Sequence, residues 1–244
     1  MNIGLVGKLL RRRPVNLFPN SFISLKLVCF VNKTRRAPFF PFMEKYDDIY
    51  DIIGRKECTM VITKPSNNSV LFLCGSTDSG KLCLPENKGN KGKIQDALHR
   101  VQINQRIKTV VASSDHTFMI TEEGVVLVCG SLNNSGVELE HAHWKLNGYI
   151  EKIAEITSLK PYKIIDLSSL NGHTLALDSL GRVFSWGNYI FWVSSDNVGS
   201  GGFGRLGHGD SQPCKQPKRI ESLKDVKSIF VGDSLSYFVT SMLV

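Results

Sequence analysis

The stretch GHTLALDSLGRVFSWGN at residues 172–188 has a second version, DHTFMITEEGVVLVCGS, at residues 115–131. The two align without a gap over seventeen residues, 57 positions apart, with these matched pairs: His116 and His173, Gly124 and Gly181, Gly130 and Gly187. A period of this length is typical of repeat architectures, in which stacked units supply one another's hydrophobic core. The repeat therefore decides the fold before any single motif does.

Two weaker copies flank this pair. ECTMVIT (57–63) places Cys58 at the histidine position, and SLSYFVT (234–240) places Leu235 there. An apolar run precedes each of the four anchors, at residues 51–54, 108–112, 163–167 and 227–232. A second run ending in glycine follows the first three, as VLFLCGS, VVLVCGS and VFSWGNY. Short runs of Val, Ile, Leu and Phe bounded by turn residues indicate β-strands joined by hairpins.

Helical periodicity is weak along the chain. The best helix candidates are KIQDALHRVQI (93–103) and YIEKIAEITSL (149–159), and both lie between the repeats. The sequence thus predicts an all-β array after a basic extension at residues 1–43. Within residues 44–244 the predicted repeats are 51–107, 108–164, 165–226 and a truncated 227–244.

The net charge of +8 is confined to one end of the chain. Residues 1–43 contain eight Lys or Arg and no acidic residue, so residues 44–244 contain 22 basic and 22 acidic residues. A uniformly basic nucleic-acid surface is therefore not indicated, although a local basic face is compatible with a neutral total. No apolar run reaches the roughly 18–20 residues needed to cross a bilayer, and no membrane partner is predicted.

The basic extension has two interpretations. An Arg-containing, acid-free segment is typical of a mitochondrial transit peptide, whereas its four prolines favour a disordered extension. Met43 begins MEKYDDIY, where the charge becomes balanced, and it is an alternative initiator to Met1. The first interpretation predicts a mitochondrial protein, and a start at Met43 predicts the nucleus or cytoplasm.

The six cysteines form no CxxC pair and are too sparse for a disulfide scaffold. Cys74 and Cys129 occupy equivalent positions, directly before Gly75 and Gly130. We expect both to be small buried side chains in a reducing compartment.

A further segment, GGFGRLGHGD (201–210), follows the Trp-Gly ending of the third repeat. Trp-Gly, a loop with G-x-L-G-x-G, a Pro-containing segment, an apolar run and H-[ST]-x-x-L together resemble the regulator of chromosome condensation repeat family. The best copy looks most similar to its telophase-disk subfamily. The resemblance implies a partial β-propeller of about three to four blades, each a four-stranded antiparallel sheet, where the family has seven.

Two departures from the family pattern stand out. Removing residues 189–200, YIFWVSSDNVGS, restores the family spacing between Gly187 and Gly204, which indicates either a contact loop or a splicing variant. The chain also ends at FVTSMLV, where the family continues with a turn and a further strand. The expectation is a fragment or truncated isoform that cannot close a seven-bladed ring from one copy.

Several motifs suggest sites that the pattern does not favour. GSGGFG (199–204) and GFGRLG (202–207) satisfy G-x-G-x-x-G, but two prolines follow instead of a helix, so turns that need positive φ are favoured over a nucleotide site. HAH (141–143), with Glu138 and Glu140 nearby, lacks further metal ligands at a standard spacing. KQPKR (215–219) suits a solvated loop better than a phosphate or acidic-partner site.

Other recurring residues also have a simpler explanation. A residue such as His116 or His173 that recurs in successive repeats is expected to be architectural. The three glycosylation-type motifs are predicted to be unused without a signal peptide, and they begin at Asn32, Asn67 and Asn133. No catalytic, cofactor or metal residue is predicted.

The resemblance implies a protein-interaction module. Members of the family include exchange factors for small GTPases, chromatin and microtubule-associated proteins, and adaptor domains of larger enzymes. An exchange factor binds the nucleotide-free GTPase more tightly than the nucleotide-bound form, and this needs no covalent chemistry. The alternatives are a mitochondrial or chromatin scaffold without exchange activity, or a truncated chain without a function of its own. The partner-binding residues stay unknown at this point.

Overall fold

The chain forms a row of antiparallel β-sheets. A computed structural model describes residues 49–55, 58–63, 70–76, 82–83, 94–101, 103–113, 115–131, 149–170, 172–187, 204–232 and 235–241. Four of the features discussed above lie outside these residues: the extension at 1–43, the segment 189–200, HAH (141–143) and the three glycosylation-type motifs.

The described residues form three four-stranded sheets and one hairpin, which follow one another along the chain. The first sheet consists of β1 (Ile49–Arg55), β2 (Cys58–Thr63), β3 (Val70–Ser76) and β4 (Ile94–Arg100). The second consists of β5 (Ile107–Ala112), β6 (His116–Thr121), β7 (Val126–Ser131) and β8 (Tyr149–Glu155). The third consists of β9 (Ile164–Leu170), β10 (His173–Asp178), β11 (Val183–Gly187) and β12 (Cys214–Arg219). The hairpin consists of β13 (Val226–Val231) and β14 (Ser236–Thr240).

Within each sheet, every strand pairs with the next one in sequence, and every pair is antiparallel. The apolar runs around the anchors are the first three strands of each sheet, as the pattern predicted. The runs are short, rich in β-branched and aromatic residues, and separated by tight turns, which favours this up-and-down order.

The two helix predictions are wrong over most of their length. Residues 94–100 form β4 and residues 149–155 form β8, and only one 3-10 turn, at Thr157–Leu159, follows. Each of these strands lies beside the third strand of its sheet, whose outer backbone groups would otherwise be unpaired. Satisfying that edge outweighs a weak helical preference in the isolated segment.

The sheets stack face to face, and a core fills each boundary. In β6 and β7, alternate residues face opposite neighbours, so both strands are buried along their length except at Ser131, which is half-buried. The first core, between the first and second sheets, contains Met60, Ile62, Leu71, Leu73, Leu82, Val101, Ile107, Val110, Ala112, Met119, Leu127 and Cys129. The second core, between the second and third sheets, contains Val111, Phe118, Ile120, Val126, Val128, Ile156, Leu159, Ile164, Leu167, Ala176, Phe184 and Trp186. The third core, between the third sheet and the hairpin, contains Leu175, Leu177, Val183, Ile220, Val226 and Ile229.

Turn glycines reinforce two of these boundaries. The β6–β7 turn holds Gly124 at φ +88°, and its carbonyl accepts a hydrogen bond from the Ile164 N–H of the third sheet at 3.0 Å. The β10–β11 turn holds Gly181 at φ +77°, and its carbonyl accepts from the Val226 N–H of the hairpin at 3.2 Å. Glycine adopts this left-handed conformation without steric cost, and it also lets the neighbouring backbone approach.

The expectation for the two equivalent cysteines holds for one of them. Cys74 is buried, as predicted. Cys129 is also buried, but it forms a disulfide bond with Cys83, 46 residues away in sequence. No motif indicated this pair, because Cys83 lies in the most degenerate copy of the loop motif. Within the described ranges, no helix is long and apolar enough to span a membrane.

Candidate interaction surface at the loop end

The connections that the structure describes lie at two ends of the stack. The hairpin end contains the turns 121–125 and 178–182 and the connection 220–225. The loop end contains the beginnings of β6 and β10 and the segment 204–210, called here the 204–210 loop. The two ends differ in chemistry, and the recurring histidines lie at the loop end.

Each of the two buried histidines lies opposite a glycine. His116 pairs with Gly130 of β7, and His173 pairs with Gly187 of β11. A Cβ atom at either glycine would collide with the backbone carbonyl that precedes the histidine. The glycines also have φ values of +122° and +132°. The recurrence of His and Gly at a fixed spacing is therefore explained by a close approach of two strands.

His116 is held inside the second sheet. Its Nε2 atom lies 2.7 Å from the backbone oxygen of Ser131, and because a carbonyl only accepts, Nε2 carries the proton. Its ring stacks on Phe118 with 5.5 Å between centroids. Whether His173 makes the matching bond stays a prediction, because Asn188, the counterpart of Ser131, lies outside the described residues.

His173 connects the third sheet to the hairpin. Its Nε2 lies 3.4 Å from the Ser236 hydroxyl. Burial and the nearby positive charge of Arg205 lower its pKa to about 4, and backbone hydrogen bonds at Leu170 and Leu235 only partly offset this. The imidazole is therefore neutral at physiological pH.

The 204–210 loop is fixed in place by two serines from different strands. The Ser185 hydroxyl of β11 donates to the Leu206 carbonyl at 2.6 Å, and the Ser236 hydroxyl of β14 donates to the Arg205 carbonyl at 2.7 Å. Because the Ser185 hydroxyl already donates its hydrogen to Leu206, its oxygen accepts a hydrogen bond from Nε2 of His208, which lies at 3.0 Å. Both side chains that point inward, Arg205 and Leu206, are buried.

The glycines of this loop serve as turn residues. Gly204, Gly207 and Gly209 have φ values of +70°, +74° and +82°, and the Gly207 N–H donates to the Gly204 carbonyl. The segment that follows is the strand Cys214–Arg219, so no helix N-terminus is aimed at a phosphate. The conformation agrees with the interpretation as tight turns.

His208 lies at the edge of the loop end. Burial lowers its pKa first, the positive charge of Lys218 lowers it further, and Ser185 and Asp210 partly offset both effects. Asp210 accepts a hydrogen bond from the Gln212 N–H and is exposed. The loop thus presents an exposed polar rim on a rigid base.

The hairpin end is organised by a buried carboxylate. Asp178 accepts from the backbone N–H groups of Leu180 and Arg182 at 2.9 Å each, and from the Arg182 side chain at 2.6 Å. Arg182 also lies over the Tyr162 ring, 4.8 Å from its centroid. In the second sheet, Thr121 has the same role through one hydrogen bond from the Val125 N–H. These contacts stabilise the turns at this end.

The basic motif KQPKR forms β12, the outermost strand of the third sheet, and the prediction of a loop there is wrong. Lys215 and Lys218 are exposed, and Arg219 pairs with Glu221 at 3.2 Å. Lysine and proline on an outer strand also discourage pairing with other chains. Among the described residues, no group of three or more His, Cys, Asp or Glu side chains is placed to bind a metal ion.

Four-stranded antiparallel sheets stacked face to face through apolar cores define the class of β-propeller repeat proteins, here a partial one. Residues 197–239 match the family model described as "Regulator of chromosome condensation (RCC1) repeat". These residues include the 204–210 loop and most of the hairpin. These residues thus match an RCC1 repeat, and the chain as a whole is similar to a divergent RCC1-like family.

Curated relatives and solved structures agree with this assignment. Human E3 ubiquitin-protein ligase HERC2 is 28% identical over 77% of this chain and 4% of its own length. The mitochondrial RCC1 domain-containing protein RUG3 of Arabidopsis thaliana is 29% identical over 70% of this chain and 36% of its own. The bovine secretion-regulating guanine nucleotide exchange factor is 27% identical over 66% and 32%. The chain thus spans about a third or less of these relatives.

Among solved structures, yeast RCC1 (Prp20) bound to Kap60 superposes with a TM-score of 0.61 at 16% identity, over 77% of this chain and 41% of that one. Human WBSCR16 superposes with a TM-score of 0.58 at 16% identity, over 78% and 44%. At these identities the structures establish the fold alone. They confirm the predicted partial propeller with four-stranded antiparallel blades.

Proposed function

We propose that this chain is a protein-binding propeller module that binds a small GTPase through its loop end. The observation that carries the proposal is the 204–210 loop, which the hydroxyls of buried Ser185 and half-buried Ser236 fix in position from separate sheets. A preformed loop loses little conformational entropy when a partner binds, so its exposed rim can contribute most of its contact energy to affinity.

The relatives support the choice of partner class. One carries the name guanine nucleotide exchange factor, and the Saccharomyces cerevisiae Prp20p structure was described together with its binding properties to Gsp1p and histones. The mechanism we propose is differential affinity: the module binds the nucleotide-free GTPase more tightly than the nucleotide-bound form and so promotes nucleotide release. The residues of this chain would supply binding surface and no covalent chemistry.

Two matched variants test the surface. Ser211→Arg adds a large charged side chain at the exposed loop end, and Ser222→Arg makes the same change at the exposed hairpin end. The full chain is assayed against a panel of nucleotide-free small GTPases by calorimetry and by release of a fluorescent guanine nucleotide. We expect Ser211→Arg to weaken binding about tenfold, equal to about 1.4 kcal/mol, and Ser222→Arg to change it less than twofold.

Two results would contradict the proposal. Absence of binding to every GTPase in the panel, by a chain with a cooperative unfolding transition, would exclude the partner class. Equal effects of Ser211→Arg and Ser222→Arg on a detected complex would move the interface away from the loop end.

A second candidate function is a scaffold without exchange activity. The match to 4% of a ubiquitin ligase shows similar repeats within a protein that is named for another activity, and one relative is named as mitochondrial. A scaffold would bind its partner with the same affinity whether or not nucleotide is present. Comparing GTPase binding with and without bound nucleotide therefore separates the two candidates, and fractionation of cells expressing the tagged full chain tests the mitochondrial location.

A further inference from the structure

The Cys83–Cys129 disulfide crosses the boundary between the first two sheets. Cys83 lies in the connection that follows β3 and packs against the first core, next to the buried Leu82. Cys129 lies on β7 of the second sheet and is fully buried in the same core. The bond therefore joins two separate repeats, which otherwise meet mainly through apolar side chains.

Each cysteine occupies a position where the clearest repeat has a different residue. Leu82 and Cys83 correspond to Leu206 and Gly207 of the third sheet, and both leucines are buried. Cys83 has φ +53° and Gly207 has φ +74°, so the backbone keeps the left-handed conformation although the glycine is replaced. Side chains rarely adopt this conformation, so a cysteine here requires compensation.

The left-handed position directs a side chain into the boundary with the next sheet. A Cβ atom added to Gly207 would point at Ile220 of the third core, with 3.3 Å to its Cδ1 atom. At the equivalent place in the first sheet, the real side chain of Cys83 points into the first core and meets Cys129. The bond thus follows from the geometry of the repeat.

Position 129 also differs from the equivalent position of the clearest repeat. Cys129 corresponds to Trp186, since both directly precede the glycine opposite the histidine. Trp186 fills the second core and contacts Phe118 edge-on at 6.0 Å. A cysteine in place of this large ring leaves space at the boundary, and the Cys83 sulfur occupies it.

We propose that Cys83 and Cys129 form a reversible thiol–disulfide pair through which small thiols, such as glutathione, control the packing of the first two sheets. An external thiolate attacks the sulfur of Cys83, because Cys83 is only half-buried as a residue whereas Cys129 is fully buried. The S–S bond breaks, Cys129 leaves as a thiolate and takes up a proton, and Cys83 becomes S-thiolated. A second external thiolate attacks the added sulfur, which releases Cys83 and forms the oxidised small thiol.

Reduction removes the covalent connection but leaves the apolar contacts. The first core, which contains Leu82 and against which Cys83 packs, still holds the sheets together. Because the bond closes a loop of 46 residues, its loss is expected to lower the unfolding temperature of the full chain by about 5–15 °C.

The experiment is a redox titration of the full chain in glutathione buffers that span reducing and oxidising compartments. Free thiols are blocked under denaturing conditions, and non-reduced digests are analysed by mass spectrometry for the Cys83–Cys129 linked peptide. Unfolding temperature is measured in each buffer. We expect both readouts to change together and reversibly, with S-thiolated Cys83 detectable at intermediate ratios.

Variants separate this pair from other thiols. Cys83→Gly restores the glycine of the repeat and should remove the redox dependence of the unfolding temperature, whereas Cys214→Ser, at a thiol outside the pair, should retain it. Alkylation of Cys129 under oxidising conditions, or linkage of Cys83 to another cysteine, would overturn the pairing. A bond that resists every buffer until the chain unfolds would overturn the reversible role. The titration of the unmodified chain decides the matter even if a variant fails to fold.

Discussion

Two boundaries of the stack differ in their contacts. One lies between the second and third sheets, and the other lies between the third sheet and the hairpin. The second core has twelve buried residues, including Trp186 and Phe118, whereas the third core has six and no aromatic ring among its buried members. The smaller boundary adds polar contacts: the Val231 N–H donates to the Ser168 hydroxyl at 3.0 Å, and Ser236 connects to Arg205.

The difference shows that one repeat geometry tolerates two ways of joining neighbours. A large apolar boundary depends on area removed from water, at about 25 cal/mol per Å². A smaller boundary depends on individual hydrogen bonds, each of which contributes about 1 kcal/mol net. The polar boundary is also the one that holds the 204–210 loop in place.

The largest expected effect is at the apolar boundary. Trp186→Ala removes the largest fully buried side chain and leaves a cavity. We expect the free energy of unfolding to fall by about 4 kcal/mol, measured by urea titration of the full chain. Leu180→Ala, at a 69% exposed position, is the control and should change it by less than 0.5 kcal/mol, an order-of-magnitude bound for surface positions. A loss below about 1 kcal/mol for Trp186→Ala would mean that this core does not hold the sheets together.

Alanine substitutions at the turn glycines test the two boundaries directly. An alanine Cβ at Gly124 would lie 2.7 Å from Lys163 Cγ and 3.0 Å from the Ile164 backbone, whereas at Gly181 the nearest atom is 3.1 Å away. Both positions carry the same left-handed penalty. We expect Gly124→Ala to cost about 3 kcal/mol and Gly181→Ala about 2 kcal/mol in the same urea assay. The reverse order would show that the hairpin is the more tightly packed neighbour.

Acid should weaken the polar boundary selectively. The pKa of His173 is about 4 in the folded chain against a usual 6.5, so the unfolded chain binds more protons between these pH values. Stability is therefore complete above about pH 6.5 and is lost as pH falls toward 4, by about 2 kcal/mol between pH 7.5 and 5. Urea titrations at the two pH values measure this loss. In His173→Gln the part due to this group should disappear, and an unchanged pH dependence would assign it to other groups.

The smallest effect is expected at a single hydroxyl. Ser236→Ala leaves the Arg205 carbonyl without its 2.7 Å hydrogen bond. We expect a loss of about 1 kcal/mol of unfolding free energy, together with faster hydrogen exchange at the Gly207 amide, because the loop loses one of its two anchors. Ser211→Ala, at an exposed position directly after the 204–210 loop, is the matched control. Equal exchange in both variants would show that Ser185 alone positions the loop.

Much of this fold could be predicted from the repeat. The first three strands of each sheet follow from apolar runs, and the recurring glycines follow from positive φ and close strand approach. The fourth strands could not be predicted, because β4 and β8 are placed by the open edge of the preceding strand and not by their own pattern.

The sites were less predictable than the fold. The serines that anchor the 204–210 loop are ordinary residues in the sequence, and only folding brings Ser185 and Ser236 to the same segment. The Cys83–Cys129 bond was missed because its residues lie in two repeats and neither is part of a recognisable cysteine motif. Contacts between distant residues of different repeats leave no local signal in the sequence.

The opposition of histidine and glycine at the loop end has a consequence for how each sheet finds its correct alignment. In a sheet with one buried face and one solvent-exposed face, a one-residue shift of strand register moves apolar side chains into solvent and is therefore unfavourable. In β6 and β7 both faces are buried, and a slip would exchange one set of apolar residues for another. Only glycine fits opposite His116 or His173, so the histidine–glycine pair allows a single register of the two strands. The pair recurs because the pattern of apolar residues in these strands does not by itself specify their register.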